Sequence, residues 1–175
     1  MKLSSHSKAY GNKAVLQLCM LVLSAALLSA CGFKLRGAYT LPVVMQTTYI
    51  ESPQISADLV RSLKVALKAS DVNISETKTE DAAVLKLFKE VKSKRTVSVD
   101  AKGRAREYTL TYSLSFALNS EQNKFTVSDQ SIRIDRDFLF DPEDVLGNSR
   151  GESQLYEEMQ QDLVRLLLLR LQSKA

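Results

Sequence analysis

Beyond Cys31 the chain contains no histidine, no further cysteine and no tryptophan; its one histidine, His6, and its other cysteine, Cys19, both lie upstream. A domain built from the remaining residues has no imidazole to act as general base or zinc ligand, and no free thiol for nucleophilic or redox chemistry. A Ser-His-Asp triad, a Cys-His pair, a His-ligated zinc and a thiolate redox centre are thereby excluded. An enzyme would be left with a carboxylate pair or a Ser-Lys dyad. No Ser-x-x-Lys stands within a supporting motif, and Ser62 and Lys64 fall on an ordinary helix face. The expectation is therefore no catalysis, no cofactor and no metal. Charge of one sign is also scarce. Residues 1–30 carry three of the 24 basic residues and none of the 20 acidic ones, which leaves 21 against 20 and a net charge of about +1 for residues 31–175. Bulk charge thus gives no argument for a nucleic-acid partner. No internal repeat or low-complexity tract occurs, and the three prolines, Pro42, Pro53 and Pro142, read as element boundaries.

Only one long hydrophobic run is present, at residues 14–28. It is short of the roughly 20 residues that span a bilayer as a helix. Lys2, Lys8 and Lys13 precede it and the small residues Ser29 and Ala30 follow it, the layout of a cleaved secretory signal. Leu28-Ser29-Ala30-Cys31 resembles the bacterial lipobox, which implies that Cys31 becomes an acylated N-terminus. Each buried methylene contributes roughly 0.8 kcal/mol, so several chains make an effectively permanent tether. Gly32, where an Asp would suggest retention in the inner membrane, implies by the same resemblance the outer membrane. The expected organisation is a signal over 1–30, a lipidated tether over 31–42 and one domain over 43–175, a length that suits a single core.

Within the domain, residues 43–50 read as a strand rich in β-branched side chains. Ser56 is the expected N-cap of a helix running to about Ser70, with Leu59, Leu63, Ala66 and Leu67 on one face. A strand, a helix and a strand in succession favour a parallel crossover. From Val84 the period becomes two, with Leu85, Leu87, Val91, Val97 and Val99 of one parity. A turn at 100–103 leads to the clearest strand, in which Tyr108, Leu110, Tyr112, Leu114, Phe116 and Leu118 alternate with polar residues. After a second turn at 120–124 another strand covers 125–140; its apolar parity switches between Val127 and Ile132, which predicts a bulge or a break. Residues 147–151 read as a loop. The last helix is expected over 152–172, with Leu155, Met159, Leu163, Leu166 and Leu167 on one face and Leu168, Leu169 and Leu171 widening it. Burial of this end against the sheet is the expected reading, with a membrane-surface or partner helix as the alternative. The fold expectation is α+β: a four-stranded mixed sheet in β-α-β-β-β-α order, with two helices on one face.

A two-residue turn at Ala101 and Lys102 would set Leu85 opposite Leu118, Leu87 opposite Phe116 and Val91 opposite Tyr112. The same register carries Arg95, Arg104 and Arg106 onto the extension of the apolar face, with Lys102 at the turn. Arginine suits phosphate because its planar fork binds two oxygens. Gly103 also permits a bulged turn, which would shift the register by one and scatter the arginines over both faces.

The start Cys31-Gly32-Phe33-Lys34-Leu35-Arg36, the Leu41-Pro42 entry, the turn before Arg106-Glu107-Tyr108 and the order of elements together resemble the LptE family of lipopolysaccharide-assembly lipoproteins. The resemblance implies a non-enzymatic outer-membrane lipoprotein on the periplasmic face, a plug and assembly partner of the LptD β-barrel that binds lipopolysaccharide. It implies basic contacts in the hairpin loop and before the last helix; these positions align near Ala101, flanked by Lys102 and Arg104, and near Ser149, flanked by Arg150. A pilotin-like assembly lipoprotein serving another outer-membrane complex and a lipid-anchored periplasmic carboxylate enzyme are the competing readings. The intact mass of the protein from membranes should correspond to a chain beginning at acylated Cys31. Cys31→Ser then accumulates as an unprocessed precursor, and recovery of unmodified Cys31 would overturn the assignment.

Overall fold

Alternating apolar and polar residues run almost unbroken from 83 to 139, and they form three long strands that make up most of the sheet. The computed structural model describes residues 39–174 together with Gln17 and Met20, both helical. The chain divides into two compact units, Met1–Arg36 and Gly37–Ala175. The signal, Cys31 and the tether as far as residue 38 lie outside the described residues, apart from those two positions.

The second unit contains β1 (Thr47–Glu51), α1 (Ala57–Lys68), β2 (Asn73–Ser75), β3 (Ala83–Val99), β4 (Ala105–Ser120), β5 (Phe125–Leu139) and α2 (Val145–Gln172). The sheet has five strands, not four, in the order β2-β1-β3-β4-β5. The additional strand β2 has three residues, too few to show a period, and it is recruited by parallel pairing with β1. The strand–helix–strand passage ends, as expected, in parallel pairing of β1 with β3, and the other long pairs are antiparallel.

Two boundaries differ from the sequence reading. Residues Val43–Met45 are a 3-10 turn rather than strand. The Met45 N–H donates to the Pro42 carbonyl at 2.9 Å, and the Thr48 hydroxyl donates to the Met45 carbonyl at 2.8 Å. Pro42, with its restricted φ, starts this turn and overrides the β-branched composition. The last helix begins at Val145, seven residues before the expected start, so 147–151 is helix and not loop. Asp144 caps it by accepting the Gly147 N–H at 2.9 Å. Gly151 lies close to the Phe138 ring, where an added Cβ would sit 3.4 Å from Cε2.

Both helices pack on one face. Leu59, Leu63 and Leu67 of α1 and Met159, Leu163, Val164, Leu167, Leu168 and Leu171 of α2 are buried against Leu110, Tyr112, Leu114, Phe116 and Leu118 of β4. The leucine-rich end of α2 is thus core, with Leu169 alone of its widened stripe exposed. Each fully buried side chain of this kind contributes roughly 1.5–3 kcal/mol. The predicted bulge in β5 is present: Gln130 faces Phe116 and Val127 faces Leu118, so Ser128 and Asp129 together span a single β4 position.

A second bulge, in β3, was not anticipated. Leu85 faces Leu118 and Leu87 faces Phe116 as expected, but Lys89 faces Ser115, which makes Phe88 an extra residue. Beyond it the parity inverts. Glu90, Lys92 and Lys94 turn to the helix face opposite Leu114, Tyr112 and Leu110, and Val91 faces Ser113 instead of Tyr112. Glu90 is thereby brought to the start of α1, where it accepts the Ser56 N–H at 2.7 Å, the Ser56 hydroxyl at 2.9 Å and the Tyr112 hydroxyl at 2.6 Å. Ser56 is the N-cap residue as predicted, but its hydroxyl serves Glu90 and not its own helix. Burial pushes the Glu90 carboxyl up, and the Ser56 and Tyr112 donors with the Lys92 charge outweigh this and hold it below its ordinary value. Burial, then the bond to Glu90, pushes the Tyr112 phenol up.

A carboxyl whose pKa is lowered on folding adds stability above its unfolded pKa and loses it as pH falls through the folded value. Glu90→Gln should therefore cost roughly 1–2 kcal/mol at neutral pH, discounted for partial exposure, and flatten part of the acid limb of stability. Urea melts at pH 7 and in the acid range measure both; parallel curves for the two proteins would contradict the role given to Glu90.

Candidate functional site

The turn that joins β3 and β4 is organised by one carboxylate. Asp100 Oδ1 accepts the N–H groups of Lys102 at 2.8 Å and Arg104 at 2.9 Å, and Oδ2 accepts Arg104 Nε at 2.8 Å. The Arg104 backbone and side-chain donors hold the Asp100 carboxyl below its usual range. Gly103 takes φ 76°, the left-handed conformation that a bulged turn requires, and its N–H donates to the Asp100 carbonyl at 2.9 Å. The two-residue turn is therefore replaced by the bulged alternative.

The arginines are scattered in consequence. Arg95 faces Thr109 on the open face of the sheet, where its charge acts on Asp135. Arg104 lies in the turn, tied to Asp100. Arg106 is displaced from the ladder, because Ser98 faces Glu107 and Val99 faces Ala105. The expectation of three arginines on one extended apolar face is thus wrong, and the bulges in β3 and β4 are the cause. Lys102 is exposed at the turn. Arg150 is exposed on α2 rather than in a loop before it.

Arg106 nevertheless has apolar company. The Phe140 N–H donates to the Arg106 carbonyl at 2.9 Å, and Glu107 faces Leu139. Arg106, Glu107, Ser98, Leu139, Phe140 and Asp141 line an open concavity of about 280 Å³. Leu139 is 78% exposed and Val97, Val99, Val145 and Leu146 are also exposed, so this end of the molecule offers more apolar surface than a solvated strand end requires. Arg106, Lys102 and Arg150 form no ion pair among the described residues, unlike Arg104. An uncommitted guanidinium beside exposed leucine and half-buried phenylalanine suits a ligand with both anionic and apolar parts. Among the described residues, no three His, Cys, Asp or Glu side chains gather as metal ligands, and no helix is long and apolar enough to cross a membrane.

Sequence reasoning missed the neighbouring lysines. Lys94 Nζ sits 4.2 Å from the centre of the Tyr108 ring, 5.6 Å from that of Phe138 and 5.8 Å from that of Phe140, and pairs with Glu152 at 2.6 Å. Lys92 lies over Tyr112 at 4.6 Å and over Tyr156 at 5.6 Å. In an unbulged strand both lysines would lie on the solvent face, and only the Phe88 bulge brings them over the rings. They hold the start of α2 against the hairpin.

Residues 42–171 match the family model described as LptE, Lipopolysaccharide-assembly. The LPS-assembly lipoprotein LptE of Photorhabdus laumondii is 30% identical over 152 residues, spanning 87% of this chain and 82% of that protein. Its counterpart in Pectobacterium atrosepticum is 29% identical over 160 residues, spanning 87% and 85%. Among solved structures, the rare lipoprotein B of Shewanella oneidensis superposes with a TM-score of 0.64 at 27% identity, covering 73% of this chain and 94% of that one. Lipoprotein B of Nitrosomonas europaea gives 0.62 at 29% identity, covering 78% and 88%.

Lys94→Met keeps the apolar stem and removes the charge shared by Glu152 and the three rings. The expected cost is about 1–2 kcal/mol, with faster amide exchange in the first turns of α2. An unchanged melting curve together with unchanged exchange would show that the lysine does not hold the helix there.

Proposed function

The chain belongs to the LptE family of lipopolysaccharide-assembly lipoproteins, and on that premise we propose that it binds lipopolysaccharide at the far end of its long hairpin. The protein is a lipoprotein of outer-membrane biogenesis and not an enzyme. In our reading, acyl chains on Cys31 hold it in the inner leaflet of the outer membrane, facing the periplasm. It acts there as the plug and assembly partner of the LptD β-barrel during delivery of lipopolysaccharide to the cell surface.

The concavity that joins Arg106 to Leu139 and Phe140 carries the proposal. Lipid A presents phosphates on a sugar scaffold together with acyl chains, and a guanidinium flanked by apolar side chains complements both parts. Lys102 at the turn and Arg150 on the helix that starts beyond Phe140 add charge at the same end of the molecule. Arg95 and Arg104 remain candidates of the second rank, because one lies on the open face and the other is committed to Asp100. The domain begins at the opposite end: Thr48 pairs with Ala83 at the start of β3. The 17 residues of β3 then carry the hairpin tip roughly 50 Å from that pairing at about 3.3 Å per residue.

Replacing Lys102, Arg106 and Arg150 together by Ser should weaken lipopolysaccharide binding roughly tenfold, whereas Arg95→Ser should change it little. Thermal unfolding of each variant confirms the fold, and a pull-down from solubilised outer membrane reports barrel association separately. Undiminished binding by the folded triple variant would remove the site from consideration.

A further inference from the structure

The sheet leaves one long strand half unpaired. β1 accompanies β3 only from Ala83 to Lys86, and Pro53 then turns the chain away into α1. From residue 87 to 99, β3 pairs with β4 alone, and residues 91–97 are all exposed. The Ser93 carbonyl accepts the Tyr156 hydroxyl at 3.1 Å, from outside the β4 ladder. Because peptide groups of alternate residues point to opposite edges of a strand, this marks Val91, Ser93 and Arg95 as the residues whose backbone groups face the open edge.

The side chains along this stretch are predominantly cationic. Lys89, Lys92, Lys94 and Arg95 outnumber Glu90, which is already engaged by Ser56 and Tyr112. Lys89 and Arg95 share the open face, six residues apart, with Val91 and Ser93 between them. On the helix face the same edge borders a polar groove of about 620 Å³ between α1 and α2, lined by both signs of charge, Asp58 and Glu157 with Arg61 and Lys92, and by Tyr156 and Gln160. The opposite edge of the sheet is defended differently. In β5, Arg133, Asp135, Arg136 and Asp137 mix both signs, and Arg170 of α2 donates to the Ser131 carbonyl at 2.7 Å.

We propose that residues 89–95 of β3 are a docking edge, at which an extended acidic segment of a partner polypeptide adds as a sixth strand. Its backbone bonds to Val91, Arg95 and the Ser93 N–H, the Ser93 carbonyl being already engaged by Tyr156. Two acidic side chains six residues apart pair across the edge with Lys89 and Arg95, and the intervening side chains of opposite parity enter the groove beside Gln160. Charge selects the occupant: a second copy of this chain would set lysine beside lysine along the seam, a repulsive arrangement. The lysines by themselves would serve to keep an edge solitary. Here, however, the bulge and the interactions with Tyr156 and Glu152 turn Lys92 and Lys94 towards the helix face, and Val91, Ser93 and Arg95 stay exposed with only the Ser93 carbonyl taken, by Tyr156, in the described structure.

Photo-cross-linking residues placed singly at Val91, Ser93 and Arg95 of the full-length lipoprotein, in its own membrane, test the proposal when the cross-linked peptides are sequenced. The expected product is one segment of another polypeptide, with acidic residues six positions apart. The Val91 and Ser93 products should fall roughly tenfold in K89E/R95E and recover when the two acidic residues are changed to Lys. Lys89 and Arg95 are exposed, so thermal unfolding should be unaffected by their reversal. Cross-links only to a second copy of this chain, only to lipid, or to a segment whose yield ignores the charge reversal would each overturn it, as would the absence of any product.

Discussion

Two registers that differ by one residue meet in the β3–β4 hairpin, and the structure beyond the core depends on how they are reconciled. The core requires Leu85 and Leu87 to face inward opposite Leu118 and Phe116. The turn, with Gly103 left-handed and Asp100 binding the N–H groups of Lys102 and Arg104, imposes a pairing displaced by one residue. Side chains on a strand alternate with period two, so a displacement of one would reverse every face. Phe88 absorbs the mismatch as a bulge. On the core side apolar residues stay inside, and on the turn side the charged residues change faces.

Most of the polar architecture follows from that exchange. Glu90, Lys92 and Lys94 would lie on the open face in an unbulged strand. In the structure each reaches a partner on the helix side: Glu90 receives Ser56 and Tyr112, Lys92 lies over Tyr112 and Tyr156, and Lys94 joins Glu152 to the rings of Tyr108, Phe138 and Phe140. These contacts attach the first turns of α2 and the start of α1 to the hairpin, beside the buried Leu110, Tyr112 and Phe138. The other end of the domain needs no such device, because leucines from both helices fill it. The domain thus has one end filled by leucines and another held by charge and aromatic faces, where the candidate ligand site opens.

The same polarity makes sense of the proposed role in lipopolysaccharide assembly. Binding of lipopolysaccharide, as proposed, requires surface for both phosphate and acyl chain, away from the core. Leu139 and the valines of the hairpin are exposed beside Arg106 because the ladder is irregular there, with displaced residues on both strands. A regular hairpin would have placed its arginines in a row along one strand face. The irregular one places a single guanidinium against Leu139 and Phe140.

Much of the fold was determined by residues close together in the chain. The helix face of Leu59, Leu63 and Leu67, the alternation from Tyr108 to Leu118, the parity break before Ile132 and the burial of the C-terminal leucines all follow from periodicity, since a half-buried element must repeat its apolar residues at its own pitch. The absence of histidine and thiol beyond Cys31 likewise excluded whole classes of chemistry without any coordinates. Tertiary structure alone decided the rest. Three residues after α1 became a strand only because β1 offered an edge, and Pro42 made a turn of a β-branched segment. Asp144 capped a helix through two glycines because Gly151 allows the helix to lie close to Phe138. The faces taken by Lys92, Lys94, Arg95 and Arg106 rested on a conflict between a turn and a core separated by a dozen residues. No local pattern records that conflict, because each half of the hairpin is regular when read alone.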